Sequence, residues 1–218
     1  MANSIKIDKK IIGEDYPPVV IAEIGINHNG SLEQAFNIAD KAIESGAEII
    51  KHQTHIPHDE MSYHAKKIIP PHTKNSIFDI IEKCSLNEEE EFKLFDYIKS
   101  KNRIVISTPF SRAAVDRLVK YDIPAFKIGS GECNNYPLIE YISKFKKPII
   151  MSTGMQSIET LKPSINIIEK NNLDYALLEC TNLYPSPPEL VSLKGISELR
   201  ENFPKAIIGF SHHSIGPS

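Results

Sequence analysis

The stretch Phe126-Lys127-Ile128-Gly129-Ser130-Gly131-Glu132 is where the architecture of the chain declares itself. An apolar run enters it, and a lysine, a glutamate, a serine and two glycines then fall within six residues. A buried strand ending in ionisable and small residues marks a site at the strand's C-terminal edge, because glycine lets the backbone turn sharply or approach a ligand. An exposed strand end with a solvated Lys127 and Glu132 is the competing reading. The rest of the chain decides between them.

Working outward, six further apolar runs end in the same way. They lie at 19–25, 47–51, 104–109, 148–154, 175–182 and 206–213. Continuous apolar runs of this length suit parallel strands covered on both faces. Helical patterns alternate with them, and several open on an N-cap residue. Ser31 stands three residues before Gln34, and Asn87 stands three before Glu90 at the head of a run of four acids. Strand–helix alternation predicts a parallel sheet with helices outside. A doubly wound open sheet normally carries a Gly-rich fingerprint after its first strand, and Asn27-His28-Asn29-Gly30 is not one. The strand ends Glu23, Lys51, Thr108, Lys127, Ser152, Asn182 and His213 spread polar groups over every strand, as the mouth of a TIM-type (β/α)8 barrel requires. The expected fold is therefore an α/β barrel of that type with seven of its eight strands. Residues 1–18 are expected to form a leader with a small hairpin, and residues 19–218 a partial barrel.

Composition excludes several classes. The 25 basic and 28 acidic residues leave a net charge of −3 with no basic block, which argues against nucleic acid as a partner. No apolar stretch is long enough for a membrane span, and the first residues carry no signal-type hydrophobic run. Cys84, Cys133 and Cys180 are widely spaced and odd in number, which suits reduced thiols and a cytoplasmic setting.

Lys51 and Lys127 each follow an apolar run, and a buried ammonium needs an anionic partner. With the hydroxyls of Thr108, Ser130 and Ser152 they favour an anionic small substrate carrying phosphate or carboxylate. Pairing of each lysine with a neighbouring acid is the alternative. Glu23 and Glu132 either balance these lysines or move protons. Five histidines (His28, His52, His55, His58 and His72) fall in early segments read as turns and loops, and His212-His213 closes the last strand. Alternation of side chains lets only one of that last pair face inward, so a metal ligand there is a weak signal by itself.

The motifs Glu23 to Gly30, Lys51-His52-Gln53-Thr54-His55, Ser107 to Ser111, Lys127 to Asn135, Ser152 to Met155 and Cys180 to Pro185 together resemble the sialic acid synthases, in the same order and over nearly the whole chain. The Lys51 to His55 form is more similar to the N-acetylneuraminate than to the pseudaminate branch. The resemblance implies condensation of phosphoenolpyruvate with an N-acylated mannosamine-type sugar to a nine-carbon sialic acid, with release of phosphate. It implies that Lys51, Thr108, Lys127, Ser130, Ser152 and Asn182 hold phosphoenolpyruvate, and that Glu23 handles protons. It further implies that Gln53 and Tyr184 contact the sugar, and that His213 ligates a divalent metal, most often Mn²⁺. Glu132 matches a motif position without a defined role.

Two departures stand out. Ser211-His212-His213 replaces the family's Ser-Asp-His, which removes an acid beside the ligand. The family's eighth strand, with a second metal histidine, and its C-terminal antifreeze-like domain, which completes a homodimer, are not expected within these residues. Two alternatives follow: a non-catalytic anion-binding remnant, or a legionaminate-type synthase using a diacetamido sugar.

Overall fold

The computed structural model describes residues 3–70 and 73–216, so His72 lies outside the described residues. An antiparallel hairpin comes first, β1 (Ser4–Ile7) with β2 (Lys10–Gly13). The alternating part runs β3 (Ile21–Gly25), α1 (Leu32–Glu44), β4 (Ile49–Thr54), α2 (Pro57–Glu60), α3 (Ile77–Cys84), α4 (Glu88–Ser100), β5 (Ile104–Pro109) and α5 (Arg112–Tyr121). It continues with β6 (Phe126–Ile128), α6 (Tyr136–Ser143), β7 (Ile149–Ser152), α7 (Ile158–Lys170), β8 (Tyr175–Cys180), α8 (Lys194–Asn202) and β9 (Ile207–Ser211). Seven parallel strands alternating with helices are the α/β architecture of the TIM-type (β/α)8 barrel, with seven of its strands among the described residues.

The chain divides into two compact units, Val19–Ile123 and Met1–Pro18 with Pro124–Ser218. In the first, β3 pairs in parallel with β4, and β4 with β5. Its core holds Ile24, Ile49, Ile50, Val105 and Ile106 from the strands, with Leu94, Phe95 and Ile98 on one stripe of α4. In the second, β6, β7, β8 and β9 pair in parallel in that order. Ile149, Met151 and Leu177 are buried there, as are Leu138, Ile139 and Ile142 of α6 and Leu161, Ile165 and Ile168 of α7. Each such side chain removed from water contributes about 1.5–3 kcal/mol.

Helix starts follow the cap chemistry read from the sequence. Ser31, Ser76, Asn87, Ser111, Asn135 and Ser157 each accept a hydrogen bond from the backbone N–H three residues on. Asn87 and Glu90 close the reciprocal capping box. One boundary differs from expectation. The segment from His52 reads as loop, yet β4 continues to Thr54, because His52 and Thr54 turn to a buried polar network while Lys51 and Gln53 take the other face. A polar strand end hides the period-2 signal that apolar residues make visible.

Candidate functional site

In the unit Val19–Ile123, strand register sets one face. Glu23 lies opposite Lys51, and Gln53 opposite Thr108, so the two-residue period places all four predicted site residues on the same side of β3, β4 and β5. Lys51 forms an ion pair with Glu23, its side chain nearly covered while that of Glu23 is more open. Thr108 is 2% exposed. Beyond the strand, His55 lies flat on Phe110 with ring centroids 4.2 Å apart, its Nε2 3.2 Å from Gln53 Oε1 and its Nδ1 2.9 Å from Glu60 Oε1.

The opposite face of β4 carries a buried chain of polar groups. The Gly30 N–H donates to His28 Nδ1 at 3.2 Å, so the His28 proton sits on Nε2, which faces His52 Nε2 at 3.3 Å. His52 therefore carries its proton on Nδ1 and donates it to Glu91 Oε1 at 3.1 Å. Thr54 Oγ1 also donates to that oxygen and lies 2.7 Å from Ser107 Oγ, while Arg117 Nη1 donates to Glu91 Oε2 at 3.0 Å. Burial, with His52 beside it, pushes His28 down to about 4, so the ring is neutral. Burial alone would raise the Glu91 carboxyl, but His52, Thr54 and Arg117 together hold it below the ordinary carboxylate range. Gly30 adopts a φ of +76°, and a Cβ there would stand 2.2 Å from the Lys83 carbonyl oxygen, so no other residue brings that N–H to His28 without moving α3. Glu91 went unnoticed in the sequence as one acid of the α4 first turn. Its spacing was the available signal: with Leu94, Phe95 and Ile98 it occupies the i, i+3, i+4, i+7 stripe that α4 buries.

In the other unit, Lys127 is 4% exposed. Its Nζ donates to Ser152 Oγ at 2.6 Å and to the Ile128 carbonyl at 2.7 Å, and among the described residues no carboxylate pairs with it. Burial pushes its ammonium down to about 8. The neighbouring Cys133 thiol is pushed up to about 12 by burial and donates to the Ser152 carbonyl at 2.6 Å. Ser130 Oγ accepts from the Gly154 N–H at 3.1 Å and lies 3.5 Å from Cys180 Sγ, which is 3.1 Å from Asn182 Oδ1. A Cβ on Gly154 would meet Asn182 Oδ1 at 2.4 Å, the Cys180 carbonyl oxygen at 2.8 Å and Ser130 Oγ at 2.9 Å. The absence of a side chain is what lets the Ser130 hydroxyl and the Cys180 and Asn182 oxygens, from two segments, come this close to Gly154. Lys127 with Ser152 makes one contact set at these strand ends, and Ser130 with Gly154, Cys180 and Asn182 makes a second.

His213 Nδ1 lies 3.1 Å from the Thr181 carbonyl, so it carries the proton and leaves Nε2 as acceptor, 3.3 Å from Ser211 Oγ. The last strand ends at Ser211 and not at the expected His212-His213; just beyond it His212 is exposed and His213 half-buried. Tyr184, 70% exposed, lays its ring against His213 with centroids 4.3 Å apart. The His213 tautomer is the one a metal ligand needs. Among the described residues it is a single ligand, for no group of three or more His, Cys, Asp or Glu side chains converges on one point. Glu132 accepts from Asn135 Nδ2 at 2.6 Å and so steadies the N-cap of α6.

A parallel barrel-type α/β protein with a buried, unneutralised lysine among hydroxyls at its strand ends is the class these features define. Within it, the chain belongs to the NeuB family, whose profile matches residues 38–218. It is 32% identical to the N-acetylneuraminate-9-phosphate synthase of Homo sapiens, over 94% of this chain and 58% of that protein. It is 35% identical to the N,N'-diacetyllegionaminic acid synthase of Campylobacter jejuni, over 91% of this chain and 61% of that protein. The crystal structure of the N-acetylneuraminic acid synthetase from Leptospira borgpetersenii in complex with citrate superposes with a TM-score of 0.86 at 25% identity, covering 99% of this chain and 72% of that one. The chain spans about 60% of the length of the curated relatives it matches.

Proposed function

We propose that this chain carries catalytic residues of a cytoplasmic sugar-acid synthase that joins phosphoenolpyruvate to an N-acylated mannosamine-type sugar. The observation that carries the reading is Lys127, a buried ammonium whose partners are neutral oxygens. Such a group gains most from an incoming phosphate or carboxylate. Ser152 meets it directly, Ser130 and Asn182 add polar groups at the ends of β6 and β8, and Lys51 and Thr108 present matching chemistry on β4 and β5.

In this reaction C3 of phosphoenolpyruvate forms a bond to the sugar's aldehyde carbon, water adds at C2, and the resulting tetrahedral carbon expels inorganic phosphate. By the family resemblance, Lys51, Thr108, Lys127, Ser130, Ser152 and Asn182 are the residues assigned to the enol phosphate. Glu23, paired with Lys51 and partly open, takes or returns the proton of the adding water or the sugar oxygen. Gln53 and Tyr184 meet the sugar. His213 Nε2 offers one ligand to a divalent ion such as Mn²⁺, which when bound supplies Lewis-acid polarisation of the aldehyde. The free Cys84, Cys133 and Cys180 suit a reducing compartment. By family resemblance the protein works as a homodimer.

N-acetylmannosamine and a diacetamido hexose are the two sugar classes to compare, since relatives named for N-acetylneuraminate and for legionaminate match at similar identity. The test is phosphate release from phosphoenolpyruvate with each sugar and Mn²⁺, beside calorimetric titration with phosphoenolpyruvate alone. Turnover with one sugar is the expected result. Binding without turnover by the full chain leaves an anion-binding role in place of synthesis, and absence of both overturns the proposal.

A further inference from the structure

Gln53 is the residue read as meeting the sugar, and its amide does not stand alone. His55 Nε2 lies 3.2 Å from Gln53 Oε1, and His55 Nδ1 lies 2.9 Å from Glu60 Oε1. An oxygen faces each ring nitrogen, the arrangement in which a ring protonated on both nitrogens donates to both and pairs with Glu60. Both side chains are shut away from water, 6% and 4% exposed for His55 and Glu60. Phe110 covers the ring face in a near-parallel stack with an interplanar angle of 11°, the geometry in which an aromatic quadrupole favours a cation.

Glu60 is itself held. Its second oxygen accepts from the Ile56 N–H at 3.2 Å, which closes the turn that begins α2. The next residue back, Asp59, accepts from the Ala113 N–H at 3.1 Å and ties α2 to the start of α5. The chain of restraint runs from backbone to Glu60, from Glu60 to His55, and from His55 to the Gln53 carbonyl.

We propose that Glu60 and His55 are positioning residues that set which end of the Gln53 amide the sugar meets. With Oε1 engaged by the imidazolium, the amide presents its NH2 and donates to a sugar oxygen. Removing the Glu60 charge removes the support for the second ring proton. The neutral ring then offers Nε2 as an acceptor, the amide turns over to donate to it, and its carbonyl faces the sugar instead. The inference rests on Gln53 as a sugar contact. It adds two residues that never touch substrate.

The experiment uses the full chain with phosphoenolpyruvate, N-acetylmannosamine and Mn²⁺, and measures KM for each substrate separately. Glu60→Gln and His55→Leu are expected to raise the sugar KM about tenfold, leave the phosphoenolpyruvate KM within twofold, and add nothing to a Gln53→Ala background. Glu60→Asp, which keeps the charge, is expected to recover most of the loss. A second readout is the pair of ¹⁵N ring shifts of His55, expected to show both nitrogens protonated at neutral pH in the wild type and one in Glu60→Gln. If Gln53→Ala leaves the sugar KM unchanged, the reading of Gln53 fails and this proposal with it. If Gln53→Ala raises it while Glu60→Gln and His55→Leu do not, or while both KM values move together, the positioning role alone is overturned. Should either variant unfold, the wild-type ring shifts decide: a singly protonated His55 overturns the mechanism.

Discussion

The two units treat buried charge in opposite ways. In Val19–Ile123, Lys51 has Glu23, Arg117 has Glu91, and His55 has Glu60. In the unit that contains β6 to β9, Lys127 is buried against a serine hydroxyl and a carbonyl. The first arrangement is closed in that it gives each of these basic groups a carboxylate partner. The second keeps an ammonium short of a counter-charge, which costs folding energy and is recovered only when an anion arrives. Lys51 and Lys127 look alike in sequence, each a lysine at the end of an apolar strand. Their surroundings give them different work.

The largest effect is expected where the imbalance is greatest. Lys127→Met removes the uncompensated ammonium, and kcat/KM for phosphoenolpyruvate should fall about a hundred- to a thousandfold, as when one preorganised electrostatic contact is lost. The same substitution should leave the melting temperature unchanged or higher, because a desolvated charge has been replaced by an apolar chain of similar volume. Steady-state kinetics with a thermal melt checks both. Lower stability with unchanged kinetics would place Lys127 among structural residues and erase the contrast between the units.

Arg117→Ala tests the closed side. It strands Glu91 in the core with only His52 and Thr54 to hold its charge, and should lower unfolding free energy by about 3 kcal/mol in urea titration. A loss under about 0.5 kcal/mol would mean that the Glu91 network does not hold α4 to β4.

The contrast also shows what a sequence makes visible. The seven strands were legible because continuous apolar runs of this length have few alternatives, and the helix starts because Ser or Asn stands three residues before the N–H it caps. The link from Lys127 to Ser152 was legible as a matter of strand ends. The Glu23–Lys51 pair stood as one of two open readings, since nothing in the spacing fixes the register of β3 against β4. Glu91 and Arg117 were obscured because a buried charge on an apolar stripe has the same letter as an exposed one. Glu132 is a motif position whose role the sequence left open, and its contact with Asn135 Nδ2 was not legible from the spacing.

Acid should expose the closed network. His28 titrates near 4 in the fold against an ordinary value of 6.5, so between these values the unfolded chain binds a proton that the native chain refuses. Stability from this group is therefore intact above about pH 6.5 and is lost as the pH falls toward 4, by an amount on the order of 3 kcal/mol. Urea midpoints measured from pH 7 to 4 should drop through that window, and a His28→Gln variant should show a shallower drop. An equal slope in both proteins would assign the acid sensitivity to other groups.

The smallest effect is the sharpest test of the open side. With Lys127 at about 8 in the free protein, its ammonium is present below that pH and is lost above it. Bound phosphoenolpyruvate favours the charged form, so above about pH 8 binding must take up a proton, and the dissociation constant should rise about tenfold per pH unit, roughly 1.4 kcal/mol. Titration calorimetry at pH 9 in two buffers of different ionisation enthalpy should count close to one proton taken up. At pH 7 it should count close to none from this group, and Lys127→Met should abolish the difference. Glu23→Gln serves as the control from the closed side, since it leaves Lys127 and its surroundings untouched and should keep the proton count. A count that follows Glu23 instead would move the anion's titrating partner to Lys51, and the lysine that already has a carboxylate would be the one that responds to substrate.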